Sequence, residues 1–253
     1  EQINQVKSLF EDGKNKSQIA KLTGIPRATL RDWISPRYIR KTTKELLRNE
    51  VFDLNTLISK VENRKFYSFI LGVYLCDGYI SEYKTSRAPC LRLFNDRKYT
   101  KNTLEWANSL KELFPSNSIK IYEQLKSSCS EVKVYSKSLI ELFPQHGLGK
   151  KHNRKLALTD WQKEILNEYP EEFIRGCIQS DGCIYQQNVG KQTYKRYCFV
   201  NKSEDIIDFF LYALSLIGII KEKWYSQKRQ LFVIQNFSKD AVKKIIKIIE
   251  KKE

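Results

Sequence analysis

Hydrophobic positions along most of this chain alternate between two periods. In TKNTLEWANSLKELF and SEDIIDFFLYALSLIGI, apolar residues recur every third or fourth position, which predicts helices with one buried face. In CLRLFND and SIKIYEQ they recur at every second position, which predicts half-buried strands. Residues 66–150 and residues 151–253 each give the order helix, two strands, helix, two strands, helix, the second range beginning with a linker. The pattern therefore predicts an α+β protein with two αββαββα repeats.

Each repeat opens on an apolar helix that ends in Asp-Gly. The two segments are ILGVYLCDG, at Ile70–Gly78, and IRGCIQSDG, at Ile174–Gly182, and their aspartates lie 104 positions apart. Within each helix two small residues stand four positions apart and share one face. These small residues are Gly72 and Cys76 in the first helix, and Gly176 and Ser180 in the second. We expect the two faces to pack closely together, which would bring the helix C-termini side by side.

The aspartates at these helix ends are electrostatically unfavourable. A carboxylate at a helix C-terminus faces the negative end of the helix dipole, at a cost of roughly 0.3–1 kcal/mol. Asp77 and Asp181 would also repel each other if they lie side by side. A divalent cation with oxygen ligands relieves both effects, so we expect a metal between them. Gly78 is expected to adopt the left-handed conformation that often ends a helix.

These paired motifs resemble those of the LAGLIDADG homing endonucleases in their single-chain, two-repeat form, over roughly Phe66 to Lys251. Leu75 and Gln179 stand where the motif has its inner acid. The resemblance implies a monomeric endonuclease that cuts both strands of a long, asymmetric DNA site. It also implies Mg²⁺ or Mn²⁺ at Asp77 and Asp181, and a basic or amide side chain near each scissile phosphate. Lys133 in the first repeat and Gln235 in the second are the candidates for that last role.

The resemblance further implies that the four hairpins form a concave, DNA-binding surface. Because side chains alternate along a strand, one face packs on helices and the other meets the duplex. Leu91, Leu93, Ile119 and Ile121 are expected to point inward. The outward positions are the candidate DNA contacts: Arg92, Lys120, Tyr122, Gln124, Gln186, Lys195, Lys223 and Tyr225.

The first 36 residues form a separate small domain in this interpretation. A helix over residues 3–12 precedes two short helices joined at Gly24, with Ser17 as a cap of the first and Pro26 at the start of the second. This order is typical of a helix-turn-helix, whose last helix enters the major groove. It exposes Arg27, Thr29 and Arg31 as candidate DNA contacts. Residues 37–65 are expected to be a partly helical linker.

The net charge of the chain indicates which class of partner it binds. Lys and Arg number 45 against 29 Asp and Glu, a formal net charge of +16, which favours a polyanion such as DNA. No apolar run approaches the roughly 20 residues that span a membrane, and the polar N-terminus does not resemble a signal peptide. Six cysteines without a C-x-x-C pair indicate free thiols, so we expect a cytoplasmic protein.

Two other functions are compatible with these features. One is a transcription regulator that binds DNA through the same scaffold without cutting it. The other is an intron RNA maturase. The retention of both Asp77 and Asp181 favours catalysis, and a helix-turn-helix favours duplex DNA over RNA.

Overall fold

A computed structural model describes residues 2–34, 54–82, 88–124, 127–235 and 237–250, and the chain divides into two units, Glu1–Val51 and Phe52–Glu253. In its described residues, 2–34, the first unit contains three helices: α1 (Gln2–Glu11), α2 (Lys16–Thr23) and α3 (Arg27–Trp33). Its core consists of five buried side chains, one from each helix, one from the turn between α2 and α3 and one directly after α3: Val6, Ile19, Leu30, Ile25 and Ile34. Residues 37–53 of the expected linker lie outside the described residues.

The turn between α2 and α3 follows from two local signals. Gly24 ends α2 in the left-handed conformation, with a φ of 69°, and Pro26 directly precedes α3. The cap at the other end of α2 differs from the expectation. Asn15, rather than Ser17, is the N-cap, because its side-chain oxygen accepts from the backbone N–H groups of Ser17 and Gln18. Gln18 returns the contact to Asn15 and completes a capping box.

The second unit begins with helices where part of the linker was expected. Its helices in the described residues are α4 (Leu54–Ser59), α5 (Val61–Asp77), α6 (Thr100–Leu113), α7 (Leu139–Leu142), α8 (Asp160–Glu168), α9 (Pro170–Asp181), α10 (Glu204–Leu216) and α11 (Lys239–Glu250). Helix α5 thus starts five residues before the expected repeat boundary. Helix α8 was not predicted; Thr159 and Gln162 start it with a capping box.

In the described part of the second unit, eight strands form two antiparallel sheets of identical topology. The first sheet has the order β1 (Gly78–Ser81), β2 (Cys90–Asp96), β4 (Cys129–Tyr135), β3 (Lys120–Glu123). The second has the order β5 (Gly182–Val189), β6 (Gln192–Asn201), β8 (Leu231–Ile234), β7 (Trp224–Ser226). Each sheet follows a helix that ends in Asp-Gly, and the predicted fold of two αββαββα repeats is confirmed.

The registers of the two sheets match position for position. Gly78 pairs with Leu93, which also pairs with Val132, and Gly182 pairs with Phe199, which also pairs with Ile234. Tyr79 and Arg92 in the first sheet therefore correspond to Cys183 and Cys198 in the second. Lys133 and Gln235, which follow Val132 and Ile234, also occupy corresponding positions.

Helices α5 and α9, hereafter the motif helices, pack backbone against backbone. A Cβ atom added to Gly72 would lie 2.5 Å from the Phe173 carbonyl oxygen, and one added to Gly176 would lie 2.2 Å from that of Phe69. Neither separation is possible for a real side chain. Only glycine at both positions allows this approach, and it joins the two repeats into one core.

Gly78 serves a different purpose from the one expected. Its backbone is extended, with φ −103° and ψ 159°, so the left-handed prediction was wrong. Glycine is required there because the chain passes directly from helix to strand, and an added Cβ would lie 2.6 Å from the Tyr74 Cα. Gly182 follows the same rule, with the Ile178 carbonyl oxygen 2.6 Å from its added Cβ.

Alternation along the strands separates a core face from an exposed face. Leu91 and Leu93, which were expected to point inward, are buried, as are Val132 and Val134, and Ile119 is half-buried. Ile121 shares their face but remains 42% exposed, because β3 is the edge strand and no further strand covers it. All six cysteines lie within the described residues and are free thiols.

Candidate active site and nucleic-acid interface

The two motif helices deliver Asp77 and Asp181 to one place. Burial, together with the smaller effect of the nearby Asp181 charge, raises the pKa of Asp77 to about 7 against the opposing effect of Lys151. Burial also raises the pKa of Asp181, while a hydrogen bond from Asn201 lowers it. The Asn201 Nδ2 atom lies 2.6 Å from the Asp181 Oδ2 atom and fixes that carboxylate. The pair is therefore a concentrated, partly desolvated negative site.

Lys151 supplies the positive charge beside this pair. Its ammonium donates to the carbonyl oxygens of Leu75 and Gly78, both at 2.7 Å, and to that of Tyr74. The last helical hydrogen bond of α5 runs from the Gly78 N–H to the Tyr74 carbonyl, so the Leu75 carbonyl is one that the helix end leaves without a helical partner. Burial lowers the pKa of Lys151 to about 8, although the aspartates nearby raise it. One ammonium thus both caps the motif helix and offsets the acids.

Lys151 is not recognisable as a site residue from the sequence. It lies in GLGKKHNRK, a basic segment after the first repeat that contains several cations. Nothing in the spacing of that segment says which ammonium folds back onto the helix end. The clue that could have been used is local: glycines at positions 147 and 149 precede the lysine pair and favour a sharp turn.

A cavity of about 520 Å³ opens at Asp181. Its wall includes Asp181, Cys76, Asn201 and Lys151, together with Tyr79 from the start of β1. Carboxylate and amide oxygens, a cation and an aromatic ring therefore line one concavity where the repeats meet. The charged and polar part of this wall can hold an anionic group beside a hydrated cation, and apolar residues such as Leu75, Ile80 and Val200 form the rest of the lining.

The donor set at this site fits a hard divalent cation. Two carboxylates with mutual repulsion favour a bound cation, and Mg²⁺ is commonly held by one or two carboxylates plus water and substrate phosphate. Within the described residues, no group of three or more His, Cys, Asp and Glu side chains is assembled. Asp77 and Asp181 are the protein groups that would hold such a cation, and its remaining ligands would be water and phosphate oxygens.

Lys133 and Gln235 lie on the sheets rather than at the acid pair's helix ends. The Lys133 ammonium is 3.0 Å from the Glu131 Oε2 atom and 4.6 Å from the Tyr122 ring centroid. Gln235 is half-buried just beyond the end of β8. The two residues occupy corresponding positions of the two sheets, with a basic side chain in one repeat and an amide in the other. Their catalytic role stays a prediction.

The candidate DNA contacts of the second unit differ in their surroundings. In the first sheet Lys120 and Tyr122 are exposed, whereas Arg92 and Gln124 are half-buried. In the second sheet Gln186 and Lys195 are exposed and directly opposite each other on β5 and β6. Tyr225 is exposed and lies against Phe232, at 5.0 Å between ring centroids.

Lys223 forms ion pairs with two acidic side chains. Its ammonium lies 2.5 Å from an Asp208 carboxylate oxygen and 2.8 Å from one of Glu204, both on α10.

In the first unit Arg27 and Arg31 are exposed on α3, and Thr29 is half-buried. The inward positions Ile25 and Leu30 are buried, which leaves the basic side chains on the outer face of α3.

Comparison with known proteins identifies the fold. Residues 168–250 match the family model of a LAGLIDADG-like domain. No curated protein matches the sequence. The solved structure of I-DmoI in complex with DNA and Mn aligns with a TM-score of 0.52 at 16% identity, over 75% of this chain and 99% of that one.

Two further solved structures are also similar to this chain. Mesophilic variants of the homing endonuclease I-DmoI align with a TM-score of 0.53 at 16% identity, over 75% of this chain and 98% of that one. Full-length DUF199/WhiA from Thermatoga maritima aligns with a TM-score of 0.48 at 12% identity, over 74% of this chain and 55% of that one. The first of these supports the two-repeat fold, and the second is too distant to bear on function.

Proposed function

Since the chain has the two-repeat LAGLIDADG fold and a LAGLIDADG-like domain at residues 168–250, we propose that it is a site-specific, metal-dependent endonuclease of duplex DNA. The observation that carries the proposal is the meeting of Asp77 and Asp181 at the ends of two helices packed through glycine. A protein can have this fold without the catalytic activity, but two partly buried carboxylates that repel each other lower its stability. The retention of this acid pair is explained by a cation that binds there.

The proposed chemistry assigns a task to each group at the site. When bound between Asp77 and Asp181, Mg²⁺ or Mn²⁺ would polarise a scissile phosphate and make water a better nucleophile. Asn201 holds the Asp181 carboxylate in one orientation. Lys151 offsets negative charge beside the acids, where a phosphodiester gains charge during hydrolysis. Lys133 and Gln235 are proposed to assist from corresponding positions of the two sheets.

DNA is the substrate that the charge balance favours. A net charge of +16 attracts a polyanion, and the sheets offer exposed basic and amide side chains on both repeats. The solved structures of I-DmoI include complexes with target DNA and with Mn, Mg or Ca. Because the two exposed faces differ in sequence, the proposed target is asymmetric. The first unit is proposed to add contacts through Arg27, Thr29 and Arg31.

Cleavage of a randomised duplex library in Mg²⁺ tests the proposal. The wild-type chain is expected to cut one long motif, and Asp77→Asn or Asp181→Asn to abolish cutting without loss of DNA binding. Lys151→Met is expected to lower the rate at saturating DNA, because it removes charge compensation at the site. Asp208→Asn, an exposed aspartate on α10, is the control and should cut like the wild type. Retention of specific duplexes with no cutting in any metal would contradict the endonuclease and leave a DNA-binding regulator.

A further inference from the structure

The outward face of the first sheet carries a clamped arginine, Arg92, which pairs with the residue directly after Gly78. The pairing of Tyr79 with Arg92, and of Arg92 with Lys133, forms a row of side chains directly after Gly78, where the motif helix ends. Phe94 and Glu131 form the next row, paired with each other across β2 and β4. The core-facing neighbours Leu91, Leu93 and Val132 are buried on the opposite face.

Arg92 is held from three sides. Its Nε atom donates to the Glu131 carboxylate. Its guanidinium carbon lies 5.6 Å from the Tyr79 ring centroid and 5.5 Å from that of Phe94. Cation–π contacts with two rings and a charge-assisted hydrogen bond restrict a side chain that is otherwise among the most mobile. The fork is therefore pre-organised before any ligand arrives.

Glu131 is placed to hold this arginine. Only 3% of its side chain is exposed, and its second oxygen accepts from Lys133. Burial raises the pKa of the Glu131 carboxyl, but the hydrogen bonds from Arg92 and Lys133 outweigh burial and leave it lower than usual. A charged, buried carboxylate on a surface meant for a polyanion is unfavourable unless it orients its neighbours. Its geometry indicates a positioning role.

The remaining donors of Arg92 match one base. A guanidinium bonded through Nε keeps its two outer amino groups as a fork, and 26% of the Arg92 side chain is exposed. In the major groove, guanine presents O6 and N7 as two adjacent acceptors, which such a fork contacts together. A phosphate contact is disfavoured because the Glu131 carboxylate lies beside it. A phosphate contact also carries no sequence information, so it does not require a guanidinium fixed in one orientation.

The corresponding position in the second repeat lacks every part of this clamp. Cys183 and Cys198 occupy the positions of Tyr79 and Arg92, and Val233 occupies that of Glu131. The clamp is therefore not required by the fold. It distinguishes the half of the target bound by the first repeat from the other half.

We propose that Arg92 reads one guanine in the major groove of the bound duplex and that Glu131 positions it for that contact. This inference rests on the proposed function only in requiring specific duplex binding. It adds a base identity, and the repeat that recognises it, to a surface otherwise described as a set of basic contacts.

Selection of bound duplexes from a randomised library, with the full-length chain and without cleavage, tests this inference. The wild type is expected to require guanine at one position in the half-site of the first repeat. Arg92→Ala should reduce that preference by roughly 5- to 150-fold, the range for a lost bidentate base contact. Arg92→Lys keeps the charge but not the fork, and should lose most of the same preference.

Three further variants separate positioning from general effects. Glu131→Gln keeps the shape and an acceptor, and should weaken the preference at that one position while other positions are unchanged. Cys198→Ser, at the matched position of the second repeat, should leave the guanine preference intact. Lys120→Ala should weaken binding to all sequences alike, as expected of a phosphate contact.

The outcomes for this inference and for the endonuclease are distinguishable. A wild-type chain that retains no specific duplex contradicts the DNA-binding function itself, and this inference with it. A specific motif whose base preferences are unchanged in Arg92→Ala overturns the inference alone. Uniform weakening by Glu131→Gln, with no change at the guanine position, shows that Glu131 supports the sheet and does not position Arg92.

Discussion

Individual residues at the acid pair oppose stability. Asp77 lies at the negative end of the dipole of helix α5, beside a second carboxylate and largely removed from water. Lys151 compensates part of this charge by its contacts with carbonyls at the same helix end. A site that binds a cation is expected to be less stable than its neutral variant when the cation is absent.

Asp77→Asn is therefore expected to stabilise the metal-free second unit above neutral pH. The folded-state pKa of Asp77 is about 7, above the ordinary value of 3.8, so the folded state binds this proton more tightly than the unfolded state. Stability contributed by this group is complete below pH 4 and is lost as pH rises toward 7. At pH 8 the asparagine variant should be about 1–3 kcal/mol more stable, with the difference vanishing near pH 4.

Urea unfolding of the wild type and variant at pH 5 and pH 8, without metal, measures this difference. Asp208→Asn, at an exposed aspartate paired with Lys223, is the control and should show no comparable gain at pH 8. Mg²⁺ should narrow the difference, since it stabilises only the wild type. A variant that is no more stable than the wild type at pH 8 would contradict the raised pKa.

At the scale of elements, the contact between the motif helices decides whether a site exists. Gly72 and Gly176 each face backbone atoms of the opposite helix, so the approach is set by main chain rather than by adaptable side chains. A second tie is polar: Gln179 of α9 accepts from Trp106 Nε1 and donates to Glu105, both on α6. Gln179, which stands where the motif has an acid, therefore links two helices.

Gly176→Ala should destabilise the second unit far more than the same change in a turn. The added methyl would lie 2.2 Å from the Phe69 carbonyl oxygen, so the helices must separate, at a cost of about 3 kcal/mol. Gly190, in the β5–β6 turn, has a φ of 60° and nothing within 4 Å of an added Cβ. Gly190→Ala is the matched control and should cost about 1 kcal/mol through backbone strain alone.

Urea unfolding at one pH compares the two alanine variants. Gly176→Ala should also cut DNA more slowly, because a wider helix pair moves Asp77 away from Asp181. Equal losses of stability in both variants would show that the motif helices do not depend on this close contact.

The whole molecule combines two units that share a basic character. The first unit has a small core and an outer face of arginines on α3, and the second carries both sheets and the acid pair. In the described residues, no helix is both long enough and apolar enough to cross a membrane. Counterion release from DNA should make binding depend steeply on salt, and each unit that contacts phosphate should contribute to the slope.

Removal of one cation from α3 is expected to reduce this salt dependence. Arg27→Gln should lower the slope of the logarithm of the binding constant against the logarithm of salt concentration by about one, if the first unit contacts phosphate. Lys163→Gln, at a lysine of α8 that pairs with Asp160, should leave the slope unchanged. Filter binding across a salt series measures both, and equal slopes for the two variants would contradict a DNA contact by the first unit.

Local patterns were sufficient for the elements of the two repeats and their order, although not for helix α8 between the repeats. Period-2 and period-3.6 spacing are properties of a strand and a helix alone, so the two αββαββα repeats followed from the sequence. The repeated Asp-Gly motif also identified Asp77, Asp181 and the two interface glycines, because repetition in one chain marks equivalent positions. The sequence itself thus determined the fold class and the residues at the centre of the site.

Tertiary structure decided which groups surround that centre. Lys151 reaches the acids from a segment more than 70 residues along the chain from Asp77, and Glu131 meets Arg92 only through the β2–β4 register. Gly78 is glycine because of the packing of Tyr74, not because of a positive φ. Contacts of this kind depend on how distant segments approach, and local periodicity carries no information about that approach.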